Sequence, residues 1–109
     1  MENCIFCKIA KKESPAEFLY EDDVFFIIKN IHPNAKYHFL AIPKRHYGLL
    51  SEANKEDEKV LGHMLGTIPK LAEKLHLEGG YKLIINQGEN GGQEIYHLHI
   101  HILSGEKLR

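Results

Sequence analysis

Tyr96-His97-Leu98-His99-Ile100-His101-Ile102-Leu103 places three imidazoles within five residues, each separated from the next by one apolar residue. Side chains alternate between faces along an extended chain. The stretch from Ile95 to Leu103 therefore reads as a strand. Leu98, Ile100 and Ile102 share an inward face with Tyr96, and His97, His99 and His101 share the other. Neighbours on that face lie roughly 6.6 Å apart. Such a row conflicts with ordinary strand composition, and conflicts of this kind gather at functional sites. Three readings fit it. His-x-His on a strand can present nitrogens to zinc. Imidazole titrates near neutrality and serves as nucleophile, acid or base. The third is a solvated polar face.

Working back from this strand, Gln87 to Gln93 is a glycine-rich loop whose Asn90-Gly91 is a turn signal. The same small residues let backbone N–H groups cradle an anion. Tyr81 to Asn86 reads as a strand. Before it, Val60, Leu61, Met64, Leu65, Ile68, Leu71, Ala72 and Leu75 recur at helical spacing and predict one amphipathic helix. Pro69 should kink it, having no N–H and crowding the carbonyl of Leu65. Gly79-Gly80 ends it. Tyr37 to Ile42, stopped by Pro43, reads as a strand, as do Phe18 to Tyr20 and Val24 to Lys29 around a polar turn. Asn30 to Lys36 is a loop. Residues 1–11 read as a short helix or turn. Strands linked in hairpin fashion beside one long helix predict an α+β fold with an antiparallel sheet.

A length of 109 residues predicts a single domain, 1–109. At that size the margin of stability is small, and a metal or a partner subunit would help. The formal net charge is −1 and the basic residues are scattered. That argues against nucleic acid as a partner, which demands massed positive charge. No stretch has the length of a membrane helix, and the N-terminus has no apolar signal core, so a cytoplasmic protein with no membrane partner is expected. In that compartment Cys4 and Cys7 are thiols or metal ligands rather than a disulfide. Cys4-x-x-Cys7 is open to three readings: a redox pair, half of a zinc site, or two idle thiols. No strand precedes it, which disfavours the redox reading. Zinc needs two further ligands from elsewhere.

His97-Leu98-His99-Ile100-His101-Ile102-Leu103 resembles the signature of the histidine triad family. Phe39-Leu40-Ala41-Ile42-Pro43-Lys44-Arg45-His46 is similar to that family's strand and Pro-Lys-x-His turn. Asn86-Gln87-Gly88 and Gly91-Gly92-Gln93 resemble its phosphate loop. These motifs occur in the family's order between about Cys4 and Gly105, and the sequence is most similar to the Hint-like, bacterial-type branch. The resemblance implies a five-stranded antiparallel sheet, one long helix, a short N-terminal helix and a homodimer. It implies a nucleotide hydrolase or transferase acting at the α-phosphate of adenosine or other purine nucleotides, most readily phosphoramidates. A dinucleoside polyphosphate hydrolase is the nearest alternative. A zinc-stabilised nucleotide-binding or interaction module is an alternative of another class.

By the same resemblance His99 is the nucleophile, His101 contacts the phosphoryl oxygens and His38 supports them from across the site. A protonated histidine there would offset developing negative charge. Asn86, Gly92, Gln93 and Glu94 would meet the phosphate, and Asn30 with Ile31 the nucleoside. Two positions depart from the family. Asn30 stands where a ribose-binding acidic residue is expected, and Glu94 where the branch often has Ser. Relatives with the N-terminal cysteine pair imply a structural zinc on Cys4, Cys7, His46 and His97.

Overall fold

A computed structural model describes residues 3–109, so Met1 and Glu2 of the predicted N-terminal segment lie outside the described residues. The elements run in the order α1 (Ile5–Ala10), β1 (Phe18–Glu21), β2 (Phe25–Lys29), β3 (Tyr37–Pro43), α2 (Lys55–Thr67), β4 (Tyr81–Ile84) and β5 (Ile100–Ser104), with short 3-10 turns at Leu50–Glu52 and Ile68–Leu71. The strands form one five-stranded sheet in the order β1-β2-β3-β5-β4. Every neighbouring pair is antiparallel. The predicted α+β class and strand count hold. No helix among the described residues is long and apolar enough to cross a membrane.

Both faces of the sheet are covered, which explains why β2 is a continuous apolar run, Phe25-Phe26-Ile27-Ile28, and not an alternation. Phe25, Ile27, Phe39, Ala41, Ile100 and Ile102 pack with Met64, Ile68, Leu75 and Leu77 on the α2 face. Phe26, Ile28, Leu40 and Ile42 pack with Phe6 and Ile9 of α1 on the opposite face. The pairing of β3 with β5 sets Leu40 opposite His101 and His38 opposite Leu103. By strand parity His38 and His101 therefore belong to the α1 face.

The long helix is shorter than its apolar stripe predicts. α2 ends at Thr67, and the chain tightens into the 3-10 turn from Ile68. The missing N–H of Pro69 accounts for the change of helix type. Met64, Ile68 and Leu75 are nevertheless fully buried together, whereas Leu65 is exposed and does not belong to the packed stripe. The strands around the histidines are also shorter than expected. β4 stops at Ile84 rather than Asn86, and β5 begins at Ile100 rather than Ile95.

The start of α2 is fixed by a buried carboxylate. Asn54 caps the helix by accepting from the Asp57 N–H, and Asp57 Oδ2 accepts the Asn54 N–H at 3.0 Å. Arg45 Nε donates to Asp57 Oδ1 at 2.8 Å, and Nη2 donates to Oδ2. The guanidinium, the largest influence, and the Asn54 N–H hold the Asp57 carboxyl below its usual range. This pair docks the turn carrying His46 onto α2. Asp57→Ala should therefore cost about 2 kcal/mol through the lost cap and charge-assisted bonds. In a chain of this size that lowers Tm by about 8 °C in a thermal melt. An unchanged midpoint would show that the pair is idle.

Candidate functional site

The three triad histidines do not form an even row. Ile95 to His99 is irregular chain, and only His101 stands within β5. The Leu98 N–H donates to the Tyr47 carbonyl at 2.7 Å instead of to a strand ladder. Leu98, Ile100 and Ile102 are fully buried as expected, but Tyr96 is 47% exposed and leaves their face. Each imidazole occupies a different environment.

His97 is fully buried. Its Nε2–H donates to the Pro43 carbonyl at 2.7 Å. That leaves Nδ1 as a lone pair, 3.3 Å from Cys4 Sγ and 3.6 Å from Cys7 Sγ. Cys7 Sγ is in turn 3.3 Å from His46 Nδ1. The four ligand atoms of Cys4, Cys7, His46 and His97 all lie within 4.8 Å of one another. A tetrahedral zinc with ordinary Zn–S and Zn–N bonds has S···N edges of about 3.6 Å. The donor set fits, and the Pro43 carbonyl orients His97 as such ligands require. Burial, with Cys4 close by, pushes the Cys7 thiol up. Burial likewise pushes His97 down to about 4. A bound dication reverses the thiol penalty.

His99 donates Nδ1–H to the His97 carbonyl at 2.8 Å. This bond fixes the tautomer, so Nε2 carries the free lone pair. Burial lowers the pKa of His99 and keeps the ring neutral. The edge-on ring of Phe6, from α1, packs against it at 5.2 Å between centroids.

Behind His101 a second chain of bonds fixes two more tautomers. The Asn34 N–H donates to His38 Nδ1 at 3.0 Å. The His38 proton must then sit on Nε2, which is 2.8 Å from His101 Nδ1 and donates to it. His101 consequently carries its own proton on Nε2. Both rings are neutral, with burial as the chief cause of their lowered pKa values. The expectation of a protonated His38 is thus corrected: one nitrogen accepts from the backbone, and burial disfavours the cation.

Burial, and then the crowding of a further positive charge beside the imidazoles of His99 and His38, holds His101 down to about 4. In the unfolded chain an imidazole titrates near 6.5. Between these values the unfolded state binds more protons, so stability falls as pH drops from about 6.5 to about 4, and His101 has no effect on it above that window. Melts across that range should show a shallower slope for His101→Gln than for wild type. Parallel slopes would count against a neutral buried His101.

His99 and His101 line a cavity of about 590 Å³. Asn30, Ile31, Asn86, Gly92 and Glu94 line it too, so the structure brings together most of the nucleotide-contacting residues expected from sequence. His38 lies behind His101. Gln93 is a correction, because it is buried and absent from the lining. Its Oε1 accepts the Gly88 N–H at 2.9 Å, and its Nε2 donates to the Gly48 carbonyl at 2.8 Å. The side chain closes the loop and has no amide group left for phosphate.

The loop is folded tightly. A Cβ at Gly91 would lie 2.2 Å from the Gln87 carbonyl oxygen, and Gly92 has φ +77°. Asn86 Nδ2 donates to the Gly91 carbonyl at 2.8 Å. Across the cavity, Asn30 Oδ1 accepts the His32 N–H at 2.9 Å.

Sequence reasoning missed the apolar wall formed by Ile5, Phe6 and Ile9 of α1 together with Ile28 and Leu40. The signal was the shared parity of Leu40 with His38, which places the wall on the histidine face.

Residues 3–108 match the family model described as "Scavenger mRNA decapping enzyme C-term binding". The chain is 48% identical over 103 residues to Protein HitA of Neisseria gonorrhoeae, covering 94% of this chain and 96% of that protein. A HIT family hydrolase from Legionella pneumophila superposes with a TM-score of 0.91 at 41% identity, covering 98% and 96% of the two chains. A zinc-bound histidine triad family protein from Mycobacterium smegmatis superposes with a TM-score of 0.80 at 32% identity, covering 94% of this chain and 74% of that one. Sequence, fold and the order of the site motifs agree, and the chain belongs to the histidine triad family, alongside relatives named as hydrolases.

Proposed function

We propose that the protein hydrolyses nucleotides at the α-phosphate through a covalent nucleotidyl-histidine on His99, with adenosine 5'-phosphoramidates as the substrate class. The observation that carries this reading is the hydrogen bond from His99 Nδ1–H to the His97 carbonyl. It leaves a neutral ring whose Nε2 lone pair is free to attack. In the first step an Nε2–P bond forms, the P–N bond breaks, and the amine leaves with a proton from solvent. In the second step water attacks phosphorus, the Nε2–P bond breaks, and AMP is released. His101, with its proton on Nε2, donates to a phosphoryl oxygen. The Gly92 N–H is taken by the Glu89 carbonyl at 3.0 Å, so the Glu94 N–H, where the loop ends at the cavity, is the backbone donor to the same phosphate. The α1 wall suits an apolar base face. The exposed carboxylate of Glu94 at the cavity edge suits an amine leaving group over an anionic one.

The substrate panel is AMP-morpholidate, diadenosine tetraphosphate and AMP itself. Rapid cleavage of the morpholidate, with an AMP adduct located to His99 by mass spectrometry, is expected. Faster cleavage of the tetraphosphate would move the reading to a polyphosphate hydrolase. Tight AMP binding without turnover of either would make the protein a binding module.

Zinc on Cys4, Cys7, His46 and His97 is part of this reading, supported by the donor geometry and by the zinc-bound relative. With four protein ligands it has no open position, so its contribution is structural. A homodimer, with β4 pairing across subunits, is supported by the edge position of that strand and by half-exposed Tyr81 and Leu83.

Asn30 supplies a further test. Its Oδ1 is already engaged by the His32 N–H, so little accepting capacity is left for ribose hydroxyls. Asn30→Asp adds a second accepting oxygen and should tighten AMP binding by about tenfold, as expected for a charge-assisted hydrogen bond. An unchanged Kd in titration calorimetry would remove Asn30 from the ribose.

A further inference from the structure

We propose that the metal held by Cys4, Cys7, His46 and His97 sets nucleotide affinity, because the helix that carries the cysteines is also a wall of the nucleotide cavity. This rests on the nucleotide reading above. α1 has only six residues, too few to be stable alone. It has two supports. One is the packing of Phe6 and Ile9 on Phe26, Ile28, Leu40 and Ile42. The other is the tie from Cys4 and Cys7 to His46 and His97. Cys4 Sγ also caps the helix, accepting the Cys7 N–H at 3.3 Å.

Ile5, Phe6 and Ile9 present the helix to the cavity. Phe6 sits between the two cysteines in sequence and bridges two sites in space. Its ring meets His97 edge-on at 5.8 Å and His99 at 5.2 Å. One aromatic side chain therefore touches both a metal-ligating ring and the reacting ring. With the metal in place, helix and triad segment are held in one arrangement and the wall is preformed. Without it, one support is gone, and the nucleotide must order the wall as it binds. Phe6 acts here as a positioning residue.

Linkage makes the effect reciprocal. Whatever factor the metal adds to nucleotide affinity, the nucleotide adds to metal retention. Couplings of this kind are commonly about tenfold.

The test uses the full zinc-loaded chain, AMP as the probe and 4-(2-pyridylazo)resorcinol as a coloured zinc acceptor. Saturating AMP should slow zinc release by about tenfold. Phe6→Leu keeps all four ligands and most of the volume. It should retain zinc yet release it at nearly the same rate with and without AMP. Zinc release unaffected by AMP, in protein that binds AMP by calorimetry, overturns the coupling and leaves the nucleotide reading intact. A chain that retains no zinc also overturns the coupling alone. AMP that fails to bind the zinc-loaded chain overturns the nucleotide reading and the coupling together. Full coupling in Phe6→Leu overturns the assignment to Phe6.

Discussion

His99→Ala should reduce turnover of AMP-morpholidate on the order of 10⁴-fold or more, the scale seen when a covalent nucleophile is removed. The size follows from the neighbouring nitrogens, none of which can take over. His97 commits Nε2 to the Pro43 carbonyl, and its Nδ1 faces the two cysteines. His38 commits both nitrogens, one to the Asn34 N–H and one to His101. His101 has Nδ1 engaged and its proton on Nε2. His99 is the one ring of this set whose remaining nitrogen has neither a partner nor a proton. The substrate walls are left in place by the substitution, so KM should change far less than kcat. Mass spectrometry should lose the nucleotidyl adduct at the same time. Turnover within tenfold of wild type, or an adduct on another residue, would show that the chemistry lies elsewhere.

The histidines of the candidate site were legible in sequence because they lie at short spacing. Parity along Leu98, Ile100 and Ile102 gave the buried face correctly. What parity missed was the different environment of each imidazole. His97 leaves the row because its partners, Cys4 and Cys7, are about ninety positions away. No local pattern encodes a contact of that range. The family resemblance, not periodicity, brought those four residues together. Gln93 shows the opposite failure. An amide in a glycine-rich loop reads as a phosphate ligand, yet three backbone groups of the folded chain claim it. The helix boundary at Thr67 was half legible: Pro69 announced a disturbance, but whether it would kink the helix or convert it to a 3-10 turn was decided by packing of Ile68 and Leu75. Parity placed Leu40 on the histidine face, but the packing of Phe6 and Ile9 onto that face is a long-range contact that only the fold supplies.

Stripping zinc should lower the thermal midpoint by about 15 °C, an effect out of proportion to the four side chains involved. A ligand that binds only the folded chain, at a free concentration about a thousandfold above its Kd, contributes about 4 kcal/mol. At about 4 °C per kcal/mol for a chain of this length, that gives the stated shift. The contacts show why the folded chain would be the form that binds. Cys4 and Cys7 are local, but His46 comes from the turn docked by Arg45 on Asp57, and His97 from the triad segment. Unfolding disperses three separate parts of the chain and destroys the site. The metal-free state carries a further burden. Cys7 is buried with its thiol pushed up. Zinc analysis should therefore give one equivalent per chain for wild type and none for Cys7→Ser, whose midpoint should match chelated wild type. Because binding demands deprotonated sulfur, retention should weaken as pH falls. Equal midpoints for zinc-loaded and chelated protein would mean that the four residues pack without a metal. The Cys4–His97 and Cys7–His46 contacts would then be sulfur hydrogen bonds, and α1 would be linked to the triad by those bonds and by apolar packing.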